Sequence, residues 1–203
     1  MSKAKICGLS RMEDITAVNG ALPDYIGFVF APSRRRIDEH TAAKLKERLD
    51  PRIKSVGVFV NEKIKIIAGL HGNGVIDLVQ LHGDEDDGYI RQLKNICACP
   101  VIKAVGVGNE LPPLRYETDY FLFDTLSEQR GGTGKVFDWA ALQNYSGPPF
   151  FLAGGLTAAN VTEAIKLLSP FCVDVSGGVE TDGVKDVKKI KNFVNIIRRK
   201  TNE

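Results

Sequence analysis

The feature that most constrains this chain is a regular alternation. Short β-branched or aromatic runs are each followed by a polar turn and then by a stretch with helical periodicity. The strand candidates are Ala4–Cys7, Tyr25–Phe30, Ser55–Val60, Leu78–Leu81, Val101–Val105, Tyr120–Phe123, Phe150–Ala153 and Cys172–Val175. Most are continuously apolar rather than alternating, which is how a strand covered on both faces reads. Eight such units at roughly 25 residues each reach the minimal size of a (β/α)8 TIM barrel. A doubly wound open sheet fits less well, because no G-x-G-x-x-G follows the first strand. No linker or composition shift divides the chain, so one domain over residues 1–203 is expected.

The helix starts are read from caps. Ser10 and Glu13 stand at capping-box spacing. Asp38, Asn61, Asp84 and Thr157 precede the helical patterns that follow them. Two further helices, short ones, are expected after Asn109 and after Asp138. A basic terminal helix is expected from about Val184, its Lys and Arg residues forming a solvated polar face.

Composition narrows the class of partner. The 27 basic and 25 acidic residues leave a net charge of +2, which is too balanced for a nucleic-acid binder. No run approaches a membrane span and no secretory pattern opens the chain, so a cytoplasmic protein with four reduced cysteines is expected. Cys97 and Cys99 lack the companion pair of a zinc site, and no H-E-x-x-H occurs; no metal is expected.

In a barrel the working face lies at the C-terminal ends of the strands. Cys7 ends the first strand there. It reads either as a small buried hydrophobe or as a base whose pKa a cation or helix terminus could lower. Asp124 ends the sixth strand, and reads equally as a turn cap or as an acid in a dry site. Gln80 and His82 close the fourth strand. Arg34, Arg35 and Arg36 follow the second, and one arginine turned inward would suit a carboxylate. Glycine-bearing loops recur late in the chain: Gly132 and Gly134, then Gly154 and Gly155, then Ser176 and Gly177. Loops after strands seven and eight are the usual phosphate site of this architecture. Gly134-Lys135 is not a Walker loop, since Gln129 and Val136 fill two required positions.

The segments Lys5-Ile-Cys-Gly8, Ser33-Arg-Arg-Arg-Ile37, Gly57-Val-Phe-Val-Asn61, Val79-Gln-Leu-His-Gly83, Phe123-Asp-Thr125, Gly131-Gly-Thr-Gly-Lys135, Ala153-Gly-Gly-Leu156 and Val173-Asp-Val-Ser176 together resemble the phosphoribosylanthranilate isomerase family. The resemblance runs in order from residue 3 to about residue 180. It implies a barrel isomerase of tryptophan biosynthesis that works without cofactor or metal on a small phosphosugar, by an Amadori rearrangement. It implies Cys7 as general base, Asp124 as general acid and Arg35 at the anthranilate carboxylate. Gln80 and His82 are expected to bind substrate, and the glycine loops to bind its phosphate. The chain departs at Ser176-Gly177-Gly178, where the family often has Ser-Ser-Gly, and so lacks one phosphate hydroxyl. A histidine-pathway isomerase is the neighbouring alternative, disfavoured because it would carry aspartate where Cys7 stands. A silent phosphate-binding barrel is the alternative of another class. A monomer is the default expectation, with a dimer as the alternative.

Overall fold

The computed structural model describes residues 2–126 and 136–200. Its centre is a closed parallel barrel of β1 (Lys3–Cys7), β2 (Tyr25–Val29), β3 (Lys54–Phe59), β4 (Leu78–Leu81), β5 (Val101–Val107), β6 (Tyr120–Thr125), β7 (Phe150–Leu152) and β8 (Cys172–Val175). Each strand pairs with the next, and β8 returns to β1 with Lys5 opposite Asp174 and Ile6 opposite Val175. Closure leaves no edge strand unpaired, and the expected barrel is what forms.

The side-chain period of two sorts each strand between two cores. Outward residues such as Ile6, Phe28, Val79, Phe121 and Phe123 pack under the surrounding helices. Inward residues Tyr25, Val56, Leu78, Ile102, Leu122, Phe151 and Cys172 fill the barrel. Lys5, Gln80 and Asp174 are also buried, which makes that interior partly ionic.

Helices α1 (Met12–Ala21), α2 (Glu39–Glu47), α3 (Ile64–Gly72), α4 (Asp87–Ile96), α5 (Val161–Leu168) and α6 (Val187–Lys200) follow β1, β2, β3, β4, β7 and β8. Asp38 caps α2 as expected, accepting from the Thr41 N–H at 2.7 Å. Other caps move. Asp14, not Glu13, accepts from the Ser10 and Arg11 N–H groups at the start of α1. Asp86, not Asp84, caps α4 by accepting from the Tyr89 N–H at 2.8 Å. Asn160 is the cap position of α5, and Thr157 lies one turn earlier.

Of the two short helices expected, the one after Asn109 is absent among the described residues and the one after Asp138 is a single 3-10 turn. After β5 the chain carries Pro112-Pro113, which removes two N–H donors and bars Leu111 from helical dihedrals. Leu111, Leu114 and Tyr116 cover the barrel there without a helix. After Asp138 only a short 3-10 turn, Trp139–Leu142, forms before Gly147-Pro148-Pro149 redirects the chain. The terminal helix begins at Val187. Val184 and Lys185 instead pair antiparallel with Glu180 and Thr181 in a small hairpin over the barrel mouth.

Candidate active site

Cys7 is the last residue of β1 and is nearly buried. Its inward direction needs room on β2, and Gly27 provides it: a Cβ at Gly27 would lie 2.6 Å from the Cys7 Sγ. The next residue, Gly8, has φ +81°, a left-handed turn that leads the chain out of the barrel. Burial pushes the Cys7 thiol up from its ordinary value. The ammonium groups of Lys5 and Lys185 oppose that push, Asp174 adds to it, and the net direction is upward. The sequence left open a cation that lowers this thiol; two cations are present, and burial outweighs them.

Asp124 stands near the end of β6, with 15% of its side chain exposed. Its Oδ1 accepts from the Thr125 N–H at 2.7 Å. Burial raises its carboxyl to about 6, against the pull of the Thr125 N–H and Lys5 and with help from Asp174. Gly154, at φ +82°, closes over it from β7. A Cβ there would meet Thr125 Oγ1 at 2.5 Å and Asp124 Oδ1 at 3.1 Å.

Between these two walls runs a buried polar chain. The Lys5 ammonium donates to Asp174 Oδ2 at 2.8 Å and to Gln80 Oε1 at 3.0 Å. Gln80 Nε2 donates to His82 Nδ1 at 2.9 Å, and His82 Nε2 lies 3.8 Å from Asp124 Oδ2. Cys7 and Asp124 thus share the field of one buried ion pair, Lys5–Asp174.

Of the three arginines, Arg35 alone is half-buried. Its aliphatic stem lies over Gly8 and its guanidinium reaches toward Gly177. Nε and Nη2 grip the Glu180 carboxylate at 2.7 and 2.9 Å. Glu180 also accepts from Arg34 at 2.7 Å and from Lys185 at 2.8 Å. Burial would raise this carboxyl, but Arg35 and Lys185 hold it down to about 2. Three cations surround one carboxylate, which leaves the cluster with surplus positive charge.

The remaining candidates divide. Gly154 and Gly155 both have positive φ, and Asn160 Nδ2 donates to the Gly155 carbonyl at 3.1 Å, which ties that loop to α5. Ser176 donates its hydroxyl hydrogen to the Cys7 carbonyl at 2.9 Å and accepts from Lys185 at 3.2 Å. Gly177 opens a short 3-10 turn. Gly132 and Gly134 lie outside the described residues. Among the described residues no group of three His, Cys, Asp or Glu side chains is placed to hold a metal ion.

Sequence reasoning missed Lys5, Asp174, Glu180 and Lys185. The first two were findable. Each is charged and precedes a strand-end candidate by two residues, so it must face the same interior. Glu180 and Lys185 belong to a loop hairpin that carries no such period.

Residues 4–196 match the family model for N-(5'phosphoribosyl)anthranilate (PRA) isomerase. The chain is 53% identical over 199 residues to N-(5'-phosphoribosyl)anthranilate isomerase of Endomicrobium trichonymphae, covering 98% of this chain and 99% of that one. The crystal structure of phosphoribosyl anthranilate isomerase from Thermotoga maritima superposes with a TM-score of 0.85 at 36% identity, covering 98% of this chain and 100% of that one. Another solved structure holds the isomerase in complex with reduced 1-(o-carboxyphenylamino)-1-deoxyribulose 5-phosphate. It superposes with a TM-score of 0.83 at 34% identity, with 98% and 100% coverage.

Proposed function

This chain belongs to the N-(5'-phosphoribosyl)anthranilate isomerase family, and on that premise we propose how its residues divide the work. The reaction is the Amadori rearrangement of N-(5-phospho-β-D-ribosyl)anthranilate to 1-(2-carboxyphenylamino)-1-deoxy-D-ribulose 5-phosphate, a step of tryptophan biosynthesis.

Asp124 is the general acid. Its proton passes to the furanose ring oxygen, the C1–O bond breaks, and the nitrogen lone pair forms an iminium with C1. That positive charge acidifies C2. Cys7, as thiolate, removes the C2 proton, and the electrons left on C2 neutralise the iminium to give an enolamine. Proton transfer to C1 and loss of the enol proton complete the ketone. The observation that supports this division is the placement of Cys7 and Asp124 on separate strands around one Lys5–Asp174 pair, with the carboxyl raised toward neutrality.

Arg35 takes the anthranilate carboxylate, using the guanidinium edge that Glu180 leaves free. Gln80 and His82 line the sugar between the two walls. Backbone N–H groups of the Gly154-Gly155 and Ser176-Gly177 loops take the phosphate. The Ser176 hydroxyl serves the Cys7 carbonyl instead, so the phosphate loop depends on backbone more than on side chain. Gly132 and Gly134 are assigned to the same phosphate by resemblance.

Residues 1–203 act as one catalytic domain, in the cytoplasm, needing neither cofactor nor metal. No helix among the described residues is long and apolar enough to cross a membrane. A monomer is the proposed state, with a dimer as the alternative. The Thermotoga maritima relative is described as dimeric, so sedimentation is the measurement to make.

The test is the fluorescence decay of freshly generated phosphoribosylanthranilate. Wild type consumes it, and Cys7→Ser and Asp124→Asn each lose a factor on the order of 10² or more. A variant that keeps near wild-type turnover removes that residue from its role.

A further inference from the structure

The polar chain beneath the site has a direction that its donors and acceptors determine. A lysine ammonium has only hydrogens to give. Lys5 Nζ, fully buried, lies 3.0 Å from Gln80 Oε1, so that atom of the amide must be the carbonyl oxygen. The other end is then the NH2 group, which can only donate. It faces His82 Nδ1 at 2.9 Å, and Nδ1 must therefore be bare. A neutral imidazole with a bare Nδ1 carries its hydrogen on Nε2, the atom turned toward Asp124 Oδ2.

We propose that Lys5 and Gln80 are positioning residues that lock His82 in its Nε2–H form, and thereby reserve the proton of Asp124 for the substrate. This rests on Asp124 being the general acid. In the opposite tautomer Nε2 would be an acceptor beside a protonated carboxyl, and the imidazole would draw off the proton that the ring oxygen needs. With Nε2–H in place, His82 can donate toward Asp124 or toward a substrate oxygen between them, and cannot take a proton without breaking the Gln80 contact. Lys5 stands two residues before Cys7 on β1, so one ammonium serves both walls: it faces the thiol directly and controls the acid through two intermediates.

The experiment is a long-range proton–nitrogen correlation spectrum of the nitrogen-labelled full chain. The sequence has three histidines, and the His82→Gln spectrum assigns the signal. At pH about 8, above the ordinary imidazole range, wild-type His82 is expected to show a bare Nδ1 and a protonated Nε2. Gln80→Glu places an acceptor-only carboxylate against Nδ1, so it is expected to move the hydrogen to Nδ1. With it, kcat falls about tenfold to a hundredfold. A wild-type His82 ring that carries hydrogen on Nδ1, alone or on both nitrogens, overturns the proposal. A tautomer switch in Gln80→Glu without loss of kcat also overturns it. The acid assignment itself is judged separately: Asp124→Asn with near wild-type turnover would sink that assignment while leaving the spectrum unchanged.

Discussion

The guanidinium of Arg35 is gripped side-on by the carboxylate of Glu180, with Nε to Oε1 at 2.7 Å and Nη2 to Oε2 at 2.9 Å. The arginine assigned to the substrate carboxylate is thus already held by a carboxylate of the chain. A guanidinium has a second edge, and this grip fixes which edge remains. Glu180→Gln should loosen the fork and raise KM about tenfold with kcat within a factor of about three. It should also lower stability, because Lys185 is left buried without its carboxylate, a loss of about 3 kcal/mol. Steady-state kinetics and urea unfolding measure the two effects separately.

Glu180 also predicts the acid limb of stability. Its carboxyl is depressed from 4.5 to about 2 in the fold. A group with a lowered folded pKa stabilises fully above its unfolded value, and that contribution is lost as pH falls through 4.5 toward 2. Urea midpoints of wild type should therefore drop across this window. Glu180→Gln, less stable throughout, should show a shallower drop there. Parallel curves for the two proteins would contradict the assignment.

The pH profile of catalysis follows from the two raised groups. Burial raises the Asp124 carboxyl to about 6 and pushes the Cys7 thiol up from its ordinary value. The proposed working pair is carboxylic acid with thiolate, the opposite of the form that prevails while the carboxyl has ionised and the thiol has not. That pair is a minor form of the free enzyme, because the carboxyl loses its proton before the thiol does. Below about 6 the thiolate fraction limits, and kcat/KM rises with pH. Between the two values the gain in thiolate and the loss of acid cancel, which gives a plateau. Above the Cys7 value the loss of acid wins and the rate falls. Alkylation by iodoacetamide, blanked with Cys7→Ser, should keep accelerating with pH above the range where an ordinary thiol has fully ionised. A thiol that alkylates fully at neutral pH would remove the basis for this profile.

Gly27 has no side chain because Cys7 occupies the space. Gly27→Ala should force the thiol from its inward rotamer and cost about 1–3 kcal/mol of overpacking. The expected result is a folded protein, by circular dichroism, with kcat down at least tenfold. Unchanged kcat would mean that the thiol position is not limiting.

Lys103 and Glu85 form a buried pair at 2.9 Å behind β4, and Lys103 also donates to the Gly83 carbonyl at 2.8 Å. Glu85 accepts from the Asn61 and Gly83 N–H groups as well, so it ties the loops after β3 and β4 together beside His82. Lys103→Met should destabilise by about 3–5 kcal/mol. Adding Glu85→Gln should recover part of that loss, because the remaining carboxylate would otherwise be buried unpaired. Thermal unfolding of the single and double variants tests this.

How much was legible in the sequence depended on period. All eight strands were readable within two residues at either end, because a strand buried on both faces is a continuous apolar run and a charged turn ends it abruptly. Cys7 and Asp124 were legible for the same reason, as polar residues where such runs stop. The helices after β5 and β6 were misjudged because polar spacing alone resembles a helix, while Pro112-Pro113 and Pro148-Pro149 decide the backbone. Glu180 escaped notice because its partners Arg34 and Arg35 lie more than 140 residues away, a distance that no local pattern spans.

The seam between β1 and β8 has a bearing on synthesis. Lys5 is made 169 residues before Asp174. Until then the interior ammonium has no carboxylate to meet, and β1 has only one neighbour to pair with. The emerging chain can assemble helices and neighbouring strands in order as they leave the ribosome, yet its candidate site can form only once β8 has joined β1. Nascent chains stalled before β8 should therefore be open arcs, rich in secondary structure, with Cys7 readily labelled by thiol reagents. Release of the final strand should bring protection of that thiol and enzymatic competence together.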